Sequence, residues 1–567
     1  MEEILRMFQE QAGGPKEPRP AVQLPSWSWK RFIISLIITL VFAALYFYMA
    51  LPALNVHSGE LYSYLFLILL VFCLCMCPIR RTGPRTFVTY VRKRLVVPFW
   101  IAVVMIAVII IGSISGWVLF RSKSYARLLP VETGDFAAEV EQISFDQIPM
   151  LDSASANVLA NRKLGELADL VSQFEVDSSS VQINYKDRPV RVTYLNYGDF
   201  FKWINNRAEG IPAYLVTDMV TQEVTVVRLK EGMRYSPSEL FNRKLQRHLR
   251  FRYPTTMFND ITFEIDEDGH PWWLASFCTK TIGLFGGEDT IGAVLVDAVT
   301  GESSYYDVAD IPTWCDRVYK AELIIDQYDY YGRYHNGYWN SLFGQRDVTV
   351  TTDGYNYIAQ GDDVWLYTGI TSVGSDEGNI GFILVNQRTK EARYYSCAGA
   401  EEYSAMSSAE GAVQQYSYNA TFPLLLNIGG QPTYFMALKD YSSLVKQYAM
   451  VNVQQYQIVA TGSTVAACEK NYLALLSENG VRAEVSEDVA GATAYETVTG
   501  VIREIRSATI DGNTAYFLRL EDSDVYYRIS AKDAILAVIL SEGDKVRIEF
   551  VPDSGEILTA VSVERGE

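Results

Sequence analysis

Residues 292–306 read GAVLVDAVTGESSYY, and residues 381–395 read GFILVNQRTKEARYY. Aligned without gaps, they share Gly, Leu, Val, Thr, Glu and a closing Tyr-Tyr, seven of fifteen positions, with Asp297 facing Asn386. Self-similarity of this kind is the signature of a repeat architecture. An earlier copy, PAYLVTDMVTQEVTVV from Pro212, keeps the D/N-x-x-T-x-E pattern as Asp218, Thr221 and Glu223. YFMALKDYSSLVKQYAMV, from Tyr434, reads as a degraded fourth. In each, an apolar run leads into Asp or Asn, which turns the chain by bonding its own backbone, and a β-rich segment follows. The pattern predicts a hairpin in which Glu302 and Glu391 serve turn and edge chemistry rather than catalysis.

Working outward, a second hairpin precedes several copies. FEIDEDGHPWWLAS (263–276) is strand, turn, strand, with Asp266, Asp268 and Gly269 at the turn. FPLLLNIGGQPTYFMALKD (422–440) matches Gly269-His-Pro271 with Gly430-Gln-Pro432, and 351–369 is a looser version. Helices are expected before them over 236–250, opened by Ser-Pro-Ser-Glu, and over 404–415. The unit is then a helix followed by three or four antiparallel strands. It is used about three times, over 206–310, 311–400 and 401–462, after a membrane-proximal segment at 121–205. On Asp297-Ala-Val-Thr300-Gly301-Glu302 and Asp266-Glu-Asp-Gly269-His-Pro271, residues 205–462 resemble the PepSY-like class of extracytoplasmic modules. The whole layout is similar to an uncharacterised family of Gram-positive bacterial envelope proteins. The resemblance implies an α+β module of one helix on a small antiparallel sheet, placed outside the membrane, that restrains or chaperones secreted hydrolases. It carries over no active residues.

Beyond the repeats, 463–494 is expected to be a linker helix with Ser463 as N-cap and Gly480 past its end. From 495 to 567 the chain alternates through five strands, with a short helix at 532–540 between the third and fourth. That is the order of a small OB-like β-barrel. Fourteen acidic against eight basic side chains from Glu496 onward disfavour nucleic acid as its partner.

Before the repeats lie three apolar stretches, 32–51, 61–77 and 95–120, none containing a charged residue. About 20 apolar residues cross a bilayer as a helix, so 31–120 reads as a three-helix transmembrane anchor behind a cytoplasmic tail, 1–30. Orientation follows from Arg80, Arg81, Arg85, Arg92, Lys93 and Arg94, all in the loop between the second and third stretches, whereas the loop at 52–60 has no Lys or Arg. The positive-inside rule puts the basic loop in the cytoplasm and everything past about residue 121 outside the plasma membrane. Ser35, Thr39 and Ala43 recur every four residues, and Gly112 and Gly116 form G-x-x-x-G. Small residues at that spacing suit helix packing, within the anchor or in a homo-oligomer.

The formal charge of −18 over 567 residues sums two unlike parts. Residues 1–127 hold 14 Lys/Arg and five Glu, a charge of +9; the remainder holds 35 basic and 62 acidic groups, a charge of −27. An acidic body of that size argues against phosphate-backbone binding, which needs clustered cations. Cys73, Cys75 and Cys77 lie at the end of the second stretch, and the pairing of Cys278, Cys315, Cys397 and Cys468 is left open. His248, His270 and His335 form no H-E-x-x-H, and there is no G-x-S-x-G, P-loop or EF-hand loop. No catalytic residue, metal or cofactor is expected.

One stretch, 326–343, interleaves rings with glycine and polar groups: Tyr328, Tyr330, Tyr331, Tyr334, Tyr338 and Trp339, with Arg333 among them and Phe343 at the end. Such residues suit a sugar, peptide or protein surface, or alternatively plug the core between two modules. The function expected is therefore a non-enzymatic integral membrane envelope protein whose acidic outer region binds another envelope protein or a cell-wall glycan. The alternatives are a sensor subunit coupling an external ligand to a membrane complex, and an extracytoplasmic hydrolase whose paired carboxylates are not legible in sequence.

Overall fold

The computed structural model describes residues 29–77, 95–140, 142, 148–374, 378–481, 496–510, 513–531, 535–550 and 556–566. The six basic residues Arg80, Arg81, Arg85, Arg92, Lys93 and Arg94 lie outside the described residues. So do most of the tail and residues 482–494 of the expected linker. The chain divides into two compact units.

The first unit holds three helices, α1 (Trp29–Ala50), α2 (Gly59–Met76) and α3 (Val96–Ser115), each long and apolar enough to cross a membrane. The Ser35–Thr39 stripe is buried, Thr39 Oγ1 donating to Ser35 O at 2.7 Å, and farther along the same face Tyr64 of α2 donates to Ala43 O at 3.0 Å. Leu249–Thr256 and Gly283–Phe285 also belong to this unit. The loop between α1 and α2 holds both: Leu54 N donates to Pro254 O (2.8 Å), Asn55 Nδ2 to Thr255 O (2.9 Å), and His57 Nδ1 bonds Leu284 O (2.8 Å). Gly112 makes room for this packing, since a Cβ there would lie 2.7 Å from Leu284 Cδ2. The glycine of α3 thus receives a loop rather than another span.

The expected third span is shorter than its apolar run. Residues 95–120 contain no charge, yet the helix stops at Ser115 and a separate one, α4 (Val118–Tyr125), follows. The break is local. Trp117 is extended, and the Gly116 carbonyl accepts the Tyr125 hydroxyl at 2.7 Å.

The second unit runs from Gly116 and is built on sheets. A short strand, β1 (Val131–Gly134), comes first. The first sheet contains β2 (Phe174–Val176), β3 (Val181–Asn184), β4 (Pro189–Tyr197), β5 (Ile211–Asp218) and β6 (Val224–Met233). The second contains β7 (Met257–Ile265), β8 (Pro271–Ile282), β9 (Gly286–Asp297) and β10 (Ser303–Asp307). The third contains β11 (Thr349–Thr351), β12 (Asn356–Gln360), β13 (Asp363–Ser372), β14 (Gly378–Asn386) and β15 (Ala392–Ala400), with β1 parallel to β15. The fourth contains β16 (Asn419–Ala420), β17 (Leu424–Ile428), β18 (Gln431–Lys439), β19 (Val445–Asn452) and β20 (Val459–Gly462). Each is the same four-strand antiparallel meander: β3-β4-β5-β6, β7-β8-β9-β10, β12-β13-β14-β15 and β17-β18-β19-β20. A helix precedes each, at Ser153–Gly165, Leu245–Arg252, Ala321–Tyr334 and Glu402–Ala412.

The meander therefore occurs four times rather than three. The expected boundary at 205/206 falls between β4 and β5, which pair from Val190↔Asp218 to Tyr194↔Tyr214. The first copy hides because helix Phe200–Asn206 is inserted between those strands, and its β3–β4 turn uses Lys186 and Asp187 at positive φ where Gly would have announced it. The Ser-Pro-Ser-Glu stretch does not start a helix either, since the helix begins at Leu245. Glu239 is instead fully buried, accepting from Tyr197 OH (2.7 Å) and Trp203 Nε1 (2.8 Å) of the first copy.

The D/N-x-x-T-x-E turns joining third to fourth strand share one set of hydrogen bonds. Asp218, Asp297 and Asn386 each accept two N–H groups ahead of them, from Val220 and Thr221, Val299 and Thr300, and Arg388 and Thr389. The Thr hydroxyl then accepts the N–H of Glu223, Glu302 or Glu391. The residue after each Asx donates its N–H back to the second strand, at Pro189, Pro271 and Val364, and Val453 does so to Pro432. That last bond marks Asn452 as the fourth equivalent. Asp440, the expected fourth, lies one connection earlier, between β18 and β19, where similar local bonding from Ser442 N and Leu444 N shapes a different turn.

The residue before each Glu is left-handed: Gln222 at φ 63°, Gly301 at 77° and Lys390 at 66°. Only at Gly301 would a Cβ enter a neighbouring ring, that of Tyr235. Gly301→Ala is expected to cost about 2 kcal/mol through backbone strain and that overlap. Lys390→Gly should relieve the left-handed backbone but still destabilise, because it removes the part-buried Lys390 Nζ–Asp289 ion pair at 2.6 Å. Thermal unfolding of the full chain in detergent checks both.

The C-terminal strands β21 (Glu496–Ile510), β22 (Asn513–Leu520), β23 (Tyr526–Ser530), β24 (Lys545–Phe550) and β25 (Ile557–Arg565) close a barrel in the order β21-β22-β23-β25-β24. The short helical segment Ile535–Ile539 lies between the third and fourth strands. Leu518, Ile529, Val546 and Ile548 fill the barrel. The preceding helix, Val465–Glu478, is capped by Thr464 rather than Ser463, Thr464 Oγ1 accepting from Ala467 N at 3.1 Å. Cys278, Cys315, Cys397 and Cys468 are all buried thiols.

Candidate binding surfaces

The aromatic stretch divides between core and surface along its length. Helix Ala321–Tyr334 carries Leu323, Ile324 and Tyr328 on its buried face. Tyr328 and its half-buried neighbour Tyr331 pack into the core shared by the second and third sheets. Gly332 is needed there, because its Cβ position is filled by Thr349. Tyr330, Tyr334 and Tyr338, at helical spacing, form a half-buried stack with ring centres 6.2 Å apart at each step, and Tyr330 meets Tyr125 edge-on at 4.8 Å. Arg333 is held by Asp329 at 3.0 Å rather than offered for stacking.

The end of the stretch is open. Past Gly337 the chain makes a wide helical turn, Asn340–Gly344, closed by left-handed Gln345. Trp339 (64% exposed), Leu342 (50%) and Phe343 (79%) stand out from it. Trp339 and Phe343 stack at 5.9 Å, and Asn340 Nδ2 pins the turn by donating to Arg346 O at 2.8 Å. Two further rings are exposed, Trp117 just before α4 and Phe120 on it, and the Tyr330 helix packs against α4. Of the seven expected surface residues, only Trp339 is a prominent apolar contact. Leu342 joins it through local geometry that a composition reading does not weigh.

The acidic groups serve the fold. Asp266 spends its carboxylate on Asp268 N, His270 N and Trp272 Nε1. Glu264 and Asp316 are close and fully buried: Glu264 accepts from Asp316 N (2.9 Å), Arg317 N (3.2 Å) and Thr262 Oγ1 (3.0 Å), while Asp316 accepts Asn184 N (2.6 Å). Burial pushes Glu264 up to about 6 and Asp316 well above the usual carboxylate range. The pair staples the junction of the first three modules and lines neither cavity described below. Among the described residues, no three His, Cys, Asp or Glu side chains converge as a metal site would require.

Among the described residues, two cavities stand out between the sheets of the second unit. The smaller, about 210 Å³, is bordered by Asn184, Gln360 and Leu425. The larger, about 380 Å³, lies where the first, third and fourth sheets meet. Gln182 and Arg191, directly opposite each other on β3 and β4, form its polar wall.

No family model matches the chain, and no curated protein matches it.

Proposed function

We propose that this chain is a membrane-anchored, non-enzymatic binding protein of the cell envelope. Its acidic sheet-rich body stands outside the membrane and holds another envelope protein or a cell-wall glycan. One observation carries the binding role: Trp339, Leu342 and Phe343 form an exposed apolar tip on a rigidly pinned turn. Aromatic anchors of this kind dominate interface energetics. The outward placement is supported by the loop at 51–58, which has no Lys or Arg and bonds residues 254, 255 and 284 far along the chain. The four meanders suit the PepSY-like reading, and the closed barrel, with its parallel β23–β25 pair, suits an OB-type one.

A second reading has its own support. Trp117 and Phe120 are exposed directly after the last span, where Trp and Tyr commonly sit in the headgroup region. The tip would then rest on lipid. A photo-crosslinking residue at position 343 separates the two in intact cells. A protein or glycan adduct supports the binding role, lipid adducts alone support the second reading, and no adduct sinks both. Trp339→Ala with Phe343→Ala should abolish the adduct partner's co-purification. Stability should change by no more than about 0.5 kcal/mol, as befits exposed positions.

A further inference from the structure

The larger cavity has features that no structural role in the fold absorbs. Its apolar walls come from three modules: Met150 and Met219 beside the first sheet, Tyr357 from the third, and Leu424, Phe435 and Met436 from the fourth. Methionines of this kind adapt to irregular ligands. Against them stand Gln182, 1% exposed, and Arg191, 7% exposed. Among the described residues, neither side-chain polar atom of the Gln182 amide has a hydrogen-bond partner, nor does Arg191 Nε. Arg191 Nη1 reaches only Ser180, its carbonyl at 3.2 Å and its hydroxyl at 3.4 Å.

A buried guanidinium without a carboxylate is costly, as is a buried amide with nothing to bond. Among the described residues Arg191 makes no ion pair. The acidic wall residue Asp152 attracts Arg191 only at a distance, its oxygens already taken by Lys439 at 2.7 Å and by Ser155 N at 3.0 Å. Arg317, whose Nη2 donates to Tyr357 OH at 2.7 Å, repels Arg191 but has the carboxylates of Asp260 and Glu264 beside it and does not line the cavity. The N-terminal turn of helix Ser153–Gly165, with Ser153 and Ala154 in the wall, is already capped by the Asp152 carboxylate, so Arg191 and Gln182 are the groups that face a ligand.

We propose that this cavity binds a small organic carboxylate with an apolar body. The carboxylate would take two hydrogen bonds from Arg191 and one from the Gln182 amide, as planar guanidinium–carboxylate pairing favours, and the apolar body would lie on the methionine and aromatic walls. At about 30 Å³ per water-sized group, the volume admits roughly a dozen non-hydrogen atoms. The site is independent of the Trp339 tip, so it stands or falls apart from the envelope-partner reading.

The probe is 4-phenylbutyrate, with 4-phenylbutyramide as its neutral twin, titrated calorimetrically into the full chain in nanodiscs. The acid is expected to bind at least tenfold more tightly than the amide. Arg191→Met should remove that preference while leaving amide binding intact, and should not lower the apo protein's thermal midpoint, since it relieves an unpaired charge. Met219→Trp, which fills the cavity, should abolish binding of both. Equal affinity for acid and amide, absence of binding to the wild-type chain, or full acid binding by either variant overturns the proposal.

Discussion

Trp273→Ala is expected to destabilise the body of the protein by about 3–5 kcal/mol, the range for removing a fully buried large aromatic. Trp273 sits on β8 with 1% exposure, and its Nε1 donates to Tyr235 O at 2.8 Å. Its ring lies 4.8 Å from Tyr194 of the first meander and 5.1 Å from Phe263 of its own, and Tyr214 of the first meander packs on Phe263 at 5.8 Å. The cluster is therefore one core shared by two modules, with little freedom to collapse into the vacated space. The loss should appear as an earlier and broader thermal transition, because uncoupled modules no longer unfold together. Trp273→Phe, keeping most of the volume, should lose less. A sharp, unshifted transition in Trp273→Ala would show that the modules do not share a core.

Glu469→Gln is expected to stabilise the protein by about 3 kcal/mol at pH 8 and to have no effect below about pH 4.5. Glu469 is buried on helix Val465–Glu478 with Oε2 unpartnered among the described residues, and burial alone pushes its carboxyl from 4.5 up to about 7. A folded value above the unfolded one means that the folded state holds the proton more tightly. The group's contribution is complete below about 4.5, declines as pH rises through about 7, and is flat beyond. Burying the ionised form costs about 1.4 kcal/mol per unit of that difference. Glutamine keeps the shape without the charge, so the variant's midpoint should fall less steeply over pH 5–8 than the wild type's, keeping only the decline that other raised carboxyls such as Glu264 and Asp316 cause. A parallel decline in both would remove Glu469 as the cause.

What was legible in the sequence was the local chemistry. Asp218, Asp297 and Asn386 announce their turns because an Asx side chain caps two backbone N–H groups whatever surrounds it. The barrel strands announce themselves by alternation, with Leu518, Ile548 and Val563 facing one interior. The three helices long and apolar enough to cross a membrane are visible through length and apolarity alone. What was hidden depends on tertiary context. Glu239 resembles a helix-capping acid until Tyr197 and Trp203 are seen to hold it. Gln182 and Arg191 alternate with apolar neighbours as the solvated face of a strand would, and only the approach of two other sheets buries them. The 326–343 rings posed a choice between core and surface that the helix resolves residue by residue, from buried Tyr328 to exposed Phe343.

The proposed topology puts the sheet-rich body outside the membrane and the basic loop inside. The four outer thiols leave a quiet background, since Cys278, Cys315, Cys397 and Cys468 are buried, and the part-exposed Cys73, Cys75 and Cys77 are first replaced by Ala. Tyr441, fully exposed between β18 and β19, offers one position for a reporter, and Arg85 in the basic loop offers the other. In intact cells, a membrane-impermeant maleimide should label Tyr441→Cys at once and reach Arg85→Cys only after permeabilisation. Labelling of Arg85→Cys from outside, with Tyr441→Cys protected until the membrane is breached, would contradict it.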